Sequence, residues 1–158
     1  MRMRALVVVV VASAASLLAG RAMAADHWLG TWKLDTAKSR YTPGPTPRSL
    51  SLKWEAVGGG MTHFVSDGVD GDGKATHAEF TSAFDGKDVA YSGNPNGDTA
   101  APMRIDENLY TTVWKLKGSP MIRATVNVAS DGKSLTVTQK GSDTSGRAVD
   151  VTAVYDRQ

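Results

Sequence analysis

From residue 50 onward the chain alternates apolar and polar side chains with a period of two. Leu50, Leu52, Trp54 and Ala56 interleave with Ser51, Lys53 and Glu55, and Ala78, Phe80, Ser82 and Phe84 interleave with His77, Glu79 and Thr81. The same beat returns at Ile122, Ala124, Val126 and Val128, at Leu135 and Val137, and at Val149, Val151, Ala153 and Tyr155. Successive side chains of a strand point to opposite faces, so each segment is predicted to be a strand with one apolar and one wet face. Residues 61–67 alternate less clearly. Met61, His63 and Val65 stand against Thr62, Phe64 and Ser66, and the pattern leaves open which set faces the core. No window keeps helical periodicity for three turns; only residues 35–40 are expected to make a single helical turn.

Turn signals separate these segments at roughly 10–15-residue intervals, close to the spacing of all-β sandwiches and barrels. They include Asp70-Gly71-Asp72-Gly73, Asn94-Pro95-Asn96-Gly97 and three Asp-Gly-Lys runs, at residues 72–74, 85–87 and 131–133. Asp-Gly supplies the positive φ angles of tight hairpins. The strands between the three runs do not match, so one turn solution is reused without a structural repeat. Pro43, Pro45 and Pro47 force an extended crossing after the first strand. The fold class expected is all-β: an antiparallel up-and-down meander closed into a β-barrel of about 8–10 strands, because closure removes the bare edges that a meander otherwise leaves. A flattened β-sandwich is the alternative.

Residues 1–24 follow a different logic. Arg2 and Arg4 precede an apolar run over residues 5–20, and Ala22-Met23-Ala24 supplies the small-x-small pattern of an export cleavage site. This is the layout of a secretory signal peptide cut before Ala25. The run of about 16 residues is shorter than the roughly 20 a spanning helix needs. Arg21 stands where a bacterial lipoprotein needs Cys, so no lipid anchor is expected. The expected organisation is a removed leader, 1–24, and a single barrel domain, 25–158. The mature chain is expected to be exported, periplasmic or extracellular, with no membrane span.

The leader also changes the charge. Of the 18 basic residues, Arg2, Arg4 and Arg21 leave with it and no acidic residue does, so 15 basic face 16 acidic side chains, a formal net charge of −1. With neither a positive field nor a basic run interleaved with aromatics, nucleic acid is not an expected partner. The absence of Cys excludes a disulfide framework, a thiolate metal site and a cysteine nucleophile.

Both ends of the mature chain carry a family signal. Trp28-Leu29-Gly30-Thr31-Trp32-Lys33-Leu34 resembles the Gly-x-Trp first strand of the lipocalins and, more closely, the Gly-Thr-Trp-Lys-Leu opening of the intracellular fatty-acid-binding proteins. Thr152-Ala153-Val154-Tyr155-Asp156-Arg157 resembles the latter family's closing Thr-Arg-x-Tyr-Glu-Lys. The whole chain is similar to small exported bacterial lipocalin-like proteins. The resemblance implies a calycin barrel in which Trp32 plugs the closed end with Arg157 packed on its ring. It also marks departures. Residues 35–48 are too few, and too rich in proline, for the helix-turn-helix lid of the fatty-acid-binding proteins. Ala153 stands where that family has an Arg that holds the ligand carboxylate, and a second such Arg has no clear counterpart, Asn127 being nearest. Fatty-acid binding in its usual form is therefore not expected.

Trp54, Phe80 and Trp114 fall on the apolar faces of three predicted strands, and Tyr155 brings a hydroxyl to the apolar face of the last. These four are the candidate ligand-binding residues, with plain core packing as the competing reading. A barrel of this size can hold one small ligand, and Ala56, Ala78 and Ala124, expected to point inward, leave room for it. His63 and His77 are expected to lie directly opposite each other across a hairpin centred near residue 70. Facing histidines can bind a metal, but His77 alternates away from the apolar face, so an exposed pair without metal is expected. Asp67 to Gly73 has the look of a calcium loop, yet Thr81 occupies the twelfth position from Asp70, where a bidentate Glu belongs; a hairpin turn is expected. His27, next to the cleavage site, is expected to be disordered. No nucleophile elbow, zinc-protease helix or phosphate loop is present, and Glu79 and Asp85 are too solvent-facing for a tuned acid–base pair. No catalytic residue, cofactor or enzymatic activity is expected. The function expected is a non-enzymatic barrel holding a small apolar or amphipathic ligand; the alternative is an envelope or secreted protein-interaction module with a filled core.

Overall fold

The period-two segments all become strands. The computed structural model describes residues 25–158; the signal-peptide reading, on residues 1–24, lies outside the described residues. Eleven antiparallel strands form one sheet: β1 (Gly30–Thr42), β2 (Ser49–Gly58), β3 (Met61–Val69), β4 (Ala75–Ser82), β5 (Val89–Ala90), β6 (Thr99–Ala100), β7 (Met103–Arg104), β8 (Leu109–Leu116), β9 (Ser119–Val128), β10 (Ser134–Ser142) and β11 (Ala148–Arg157). Neighbours run β4, β3, β2, β1, β11, β10, β9, β8, β6, β5, with β7 also on β8. The first and last strands zip together, Trp32 opposite Arg157 and Leu34 opposite Tyr155. The result is the expected barrel; its strand count rises to eleven because residues 83–108 contribute the two-residue pieces β5, β6 and β7.

The expected helical turn at residues 35–40 is instead a bulge within β1. The ladder with β11 breaks between Asp35, opposite Val154, and Arg40, opposite Thr152. Asp35 is responsible: its Oδ1 accepts the N–H groups of Ala37 and Lys38 at 3.0 and 3.1 Å. Ser39 Oγ donates to the Asp35 carbonyl at 2.6 Å and accepts the Val154 N–H at 2.9 Å, replacing the lost ladder bond. Extra residues on one strand are the definition of a bulge, and they bend it. In β3 it is Phe64 that is buried, which settles the ambiguous face of residues 61–67. Ala56, expected inside, is exposed, because it belongs to the projecting end of the β2–β3 hairpin, next to the register shift at Gly58.

One end of the barrel is plugged. Trp28 and Trp32 are fully buried there, and Trp32 Nε1 donates to the Trp28 carbonyl at 2.8 Å. The Arg157 guanidinium lies 4.2 Å from the centre of the Trp32 ring, a cation–π contact of roughly 0.5–1 kcal/mol at an exposed position. It also donates to the carbonyls of Leu29 and Gly132, at 3.1 and 2.8 Å, and to that of His27. Gly30 has φ 118°, and a Cβ there would stand 3.1 Å from Arg157 Nη1, so the glycine of the Gly-x-Trp motif makes room for this staple. His27 is not disordered as expected: its N–H bonds the Glu107 carbonyl at 2.7 Å and its ring bonds Asn108 at 2.7 Å. The Arg157 staple fixes the segment that the leader boundary had made look loose.

The seam of the barrel is thin. Between β4 and the chain just after β5 lies the bridge of Glu79 with Ser92, whose two N–H···O bonds are 3.0 Å each, and just after β4 a second bridge joins Asp85 to Met103. Gly93 makes the approach at Ser92 feasible: its φ is 75°, and a Cβ would fall 2.0 Å from the His77 carbonyl oxygen. Gly93→Ala is therefore expected to pry the seam open at a cost of about 1–3 kcal/mol. Hydrogen exchange at the Glu79 and Ser92 amides reads it directly; unchanged protection there would refute the assignment.

Candidate functional site

Above the plug the barrel encloses a cavity of about 540 Å³. This volume falls in the range of small-molecule sites, roughly 300–1,000 Å³. All four candidate ligand-binding residues, Trp54 on β2, Phe80 on β4, Trp114 on β8 and Tyr155 on β11, line it. The alternation of the strands brings them together from four places in the chain. Phe64 and Tyr91 join them to complete a run of rings: Trp54 to Phe64 at 4.8 Å between centres, Phe64 to Phe80 at 4.8 Å, Phe80 to Tyr91 at 5.3 Å and Tyr91 to Trp114 at 5.6 Å. Ala124, Val126 and Val137, from β9 and β10, supply small aliphatic wall. Tyr110 sits low in the cavity, edge-on to Trp28 at 5.2 Å.

Polar groups inside are few and unevenly satisfied. The hydroxyls of Tyr91, Tyr110 and Tyr155 are held protonated, pushed well above the usual tyrosine range by burial. Tyr155 faces Tyr41 of the neighbouring strand β1, and that contact also raises it. Among the described residues four buried groups have no hydrogen-bond partner: Trp28 Nε1 at the plug, and Thr112 Oγ1, Trp54 Nε1 and Asn94 Nδ2 in residues around the cavity. Trp54 Nε1 is turned toward the Tyr110 hydroxyl without completing a bond. A buried polar group left unpaired costs about 1–3 kcal/mol. The charged lining residues, Asp70, Lys74 and His77, all belong to the β3–β4 hairpin at the open rim.

Sequence patterning missed Phe64, Tyr91, Tyr110, Thr112 and Asn94. Tyr110 and Thr112 share the alternation of Trp114 along β8 and were readable from it. Tyr91 and Asn94 lie between turns, where no period exists.

No protein-family model matches the chain, and no curated protein matches it either. Its likeness to solved structures is one of shape. The crystal structure of the fluorescent protein UnaG superposes with a TM-score of 0.52 at 15% identity, covering 83% of this chain and 97% of that one. A single-substitution variant of UnaG gives 0.55 at 16%, covering 84% and 96%. A redesigned β-barrel gives 0.50 at 10%, covering 86% and 98%. The shared fold is that of an antiparallel β-barrel. Within that fold the expected departures stand: no helical lid occurs between β1 and β2 among the described residues, Ala153 is buried without a cation beside Tyr155, and Asn127 is exposed.

The histidines are not opposite each other. His63 pairs with Thr81, and His77 pairs with Asp67. Asp70 Oδ1 accepts the N–H groups of both Asp72 and Lys74, which moves the hairpin centre past residue 70. This is the hairpin turn expected of the Asp70 run. The shift is by an even number of residues, so both rings stay on the outer face, with Glu79 between them at 3.3 Å from His63 and 3.8 Å from His77. Among the described residues no group of three or more His, Asp or Glu side chains is arranged to hold a metal. His77 Nδ1 lies 2.6 Å from Asp67 Oδ1, and that hydrogen bond raises the His77 pKa above its model-peptide value. A raised folded pKa means the pair stabilises the hairpin below about pH 6.5, the unfolded value. The contribution is lost as pH rises through the folded pKa. An NMR titration of His77 should show the raised value in the native protein and a lower one in Asp67→Asn; an unchanged titration would remove the pairing.

Proposed function

We propose that this protein is an exported, non-enzymatic carrier that holds one small, largely apolar molecule inside its barrel. The observation that supports it best is the 540 Å³ cavity itself, walled by aromatic rings. A filled structural barrel has no use for it. The solved structures that share the shape include a fluorescent protein and a redesigned barrel, and the fold alone does not fix a ligand. The end motifs around Trp32 and Tyr155 support reading the chain as a diverged lipocalin-like protein. Export is supported by Arg2 and Arg4, the apolar run after them and Ala22-Met23-Ala24. Among the described residues no helix is long and apolar enough to cross a membrane.

Two measurements test the proposal. Native mass spectrometry of protein purified from an exporting host should show a chain beginning at Ala25, with a bound mass that is lost on denaturation. Fluorescent-probe uptake by the emptied protein should be saturable with one site. Failure of both bound mass and uptake across a broad panel of apolar probes would end the carrier reading.

A further inference from the structure

Resting on that carrier reading, we propose that the ligand is an amphiphile with an anionic head, a phosphate or carboxylate, that sits in a second cavity on the flank of the barrel with Lys33 and Arg48, while its tail passes Leu50 into the ring-walled interior.

The flank cavity exists because the wall is unzipped there. β1 and β2 pair only from Gly30–Trp54 to Lys33–Ser51. Beyond that point β1 bulges at Asp35 and continues along β11 to Thr42 without β2. A cleft of about 370 Å³ lies where the two strands part. The crossing that joins them is braced. Arg48 N–H bonds the Val69 carbonyl at 2.9 Å and Arg48 Nε bonds the Gly71 carbonyl at 3.3 Å. A Cβ on Gly71 would fall 2.2 Å from Pro45 Cγ, so the proline crossing packs closely on the β3–β4 turn.

The chemistry of this cleft is the opposite of the main cavity's. Lys33, Arg48 and Asp67 line it, with the hydroxyls of Thr36, Ser49 and Ser51. Other lysines of the same two strands are neutralised in place, Lys38 by Asp35 at 2.7 Å and Lys53 by Glu55 at 3.0 Å. Among the described residues Lys33 and Arg48 take part in no ion pair, and Asp67 is engaged elsewhere. It stands between Ser51 and His77 in the strand register, and its Oδ1 lies 2.6 Å from His77 Nδ1, on the side away from Lys33. A lysine, an arginine fork and hydroxyls together suit an oxyanion, which they meet with charge-assisted hydrogen bonds.

Leu50 joins the two spaces. It is the one residue that lines both cavities, and it is only half-buried. Gly68 stands opposite it on β3, so no side chain of that strand backs it and the partition at this level is a single rotatable leucine. A free anion would leave the 540 Å³ apolar chamber unused. A plain hydrocarbon would leave the two cations unused. A molecule with one end of each kind uses both.

The test is calorimetry on the emptied protein with decyl phosphate, decanol and decyltrimethylammonium below micellar concentrations, and with inorganic phosphate. Decyl phosphate should bind about tenfold or more tighter than decanol, the worth of hydrogen bonds to a charged group, and decyltrimethylammonium should bind no better than decanol. The phosphate advantage should shrink as salt rises. Arg48→Gln and Lys33→Gln should each cut it by roughly threefold or more and leave decanol unchanged, whereas Lys74→Gln, at the open rim, should leave it intact. From hexyl to decyl phosphate the affinity should rise by roughly threefold per CH₂, and Ala124→Phe, which fills the main cavity, should flatten that rise. Equal binding of decyl phosphate and decanol overturns the anionic head. An advantage that survives both cleft variants, or that falls with Lys74→Gln, overturns the flank cleft as its seat. Inorganic phosphate binding as tightly as decyl phosphate, or no gain with chain length, overturns the tail. In each of these cases the carrier reading survives. Binding of none of the alkyl probes overturns both.

Discussion

Replacing Trp32 by alanine is expected to remove about 3–5 kcal/mol of stability, the usual cost of deleting a fully buried tryptophan. Three losses coincide at this position. The ring is fully buried and leaves a void at the closed end. Its N–H no longer bonds the Trp28 carbonyl, now 2.8 Å away, so a buried acceptor loses its donor. Arg157, 4.2 Å over the ring, loses the surface that positions it to staple the His27, Leu29 and Gly132 carbonyls. Trp32→Phe keeps most of the apolar area and should lose only about 1–2 kcal/mol, chiefly the hydrogen bond. Urea unfolding checks both, with the midpoint falling and the slope nearly constant. Since a domain of this kind has about 5–15 kcal/mol in all, the alanine variant is expected to be marginal at 37 °C. A loss below about 1 kcal/mol for Trp32→Ala would mean the plug is decorative. A double-mutant cycle with Arg157→Gln should show coupling of about 0.5–1 kcal/mol.

The parts of this molecule that the sequence made legible are those ruled by one strong local period. Along β2, β4, β9, β10 and β11 inward residues alternate mostly with wet ones, so the buried set at Leu52, Phe80, Ile122, Leu135 and Val151 was readable from the sequence. Closure followed from a fold-level argument about edges, and the pairing of Trp32 with Arg157 followed from the resemblance at the two ends. What stayed illegible shares a different cause. The β1 bulge depends on one carboxylate, Asp35, capturing two N–H groups and one hydroxyl, Ser39, bridging to another strand. Local side-chain bonds of this kind compete with regular structure without leaving a periodic trace. The β3–β4 register failed for the same reason, since Asp70 rather than the glycines sets the turn. At the site, the aromatic half of the wall was legible because rings are large and alternate. The donors were not, because a buried Thr or Asn is recognised only by the partner it lacks, and that is a property of the assembled barrel.

These distinctions bear on how the cavity is held open. The plug residue Trp32 does not line the cavity, so stability and binding should be separable by mutation. Ala124→Phe tests this most sharply. Ala124 is buried on β9, with Thr112 of β8 opposite it on one side and Gln139 of β10 on the other, and all three line the cavity. A benzyl group there projects into the space that these residues line. Overpacking is costly in a filled core, but this side chain enters 540 Å³ of free volume. Added apolar contact should leave stability unchanged or raise it by about 1 kcal/mol. Binding of apolar probes should fall by roughly tenfold or more, since the occupant loses room. Thr125→Val, one position along the same strand and outward-facing, should do neither and serves as the control. Probe affinity retained in Ala124→Phe, with the fold intact, would place the occupant outside the barrel; affinity lost together with stability would show that the interior is already tightly packed around this alanine.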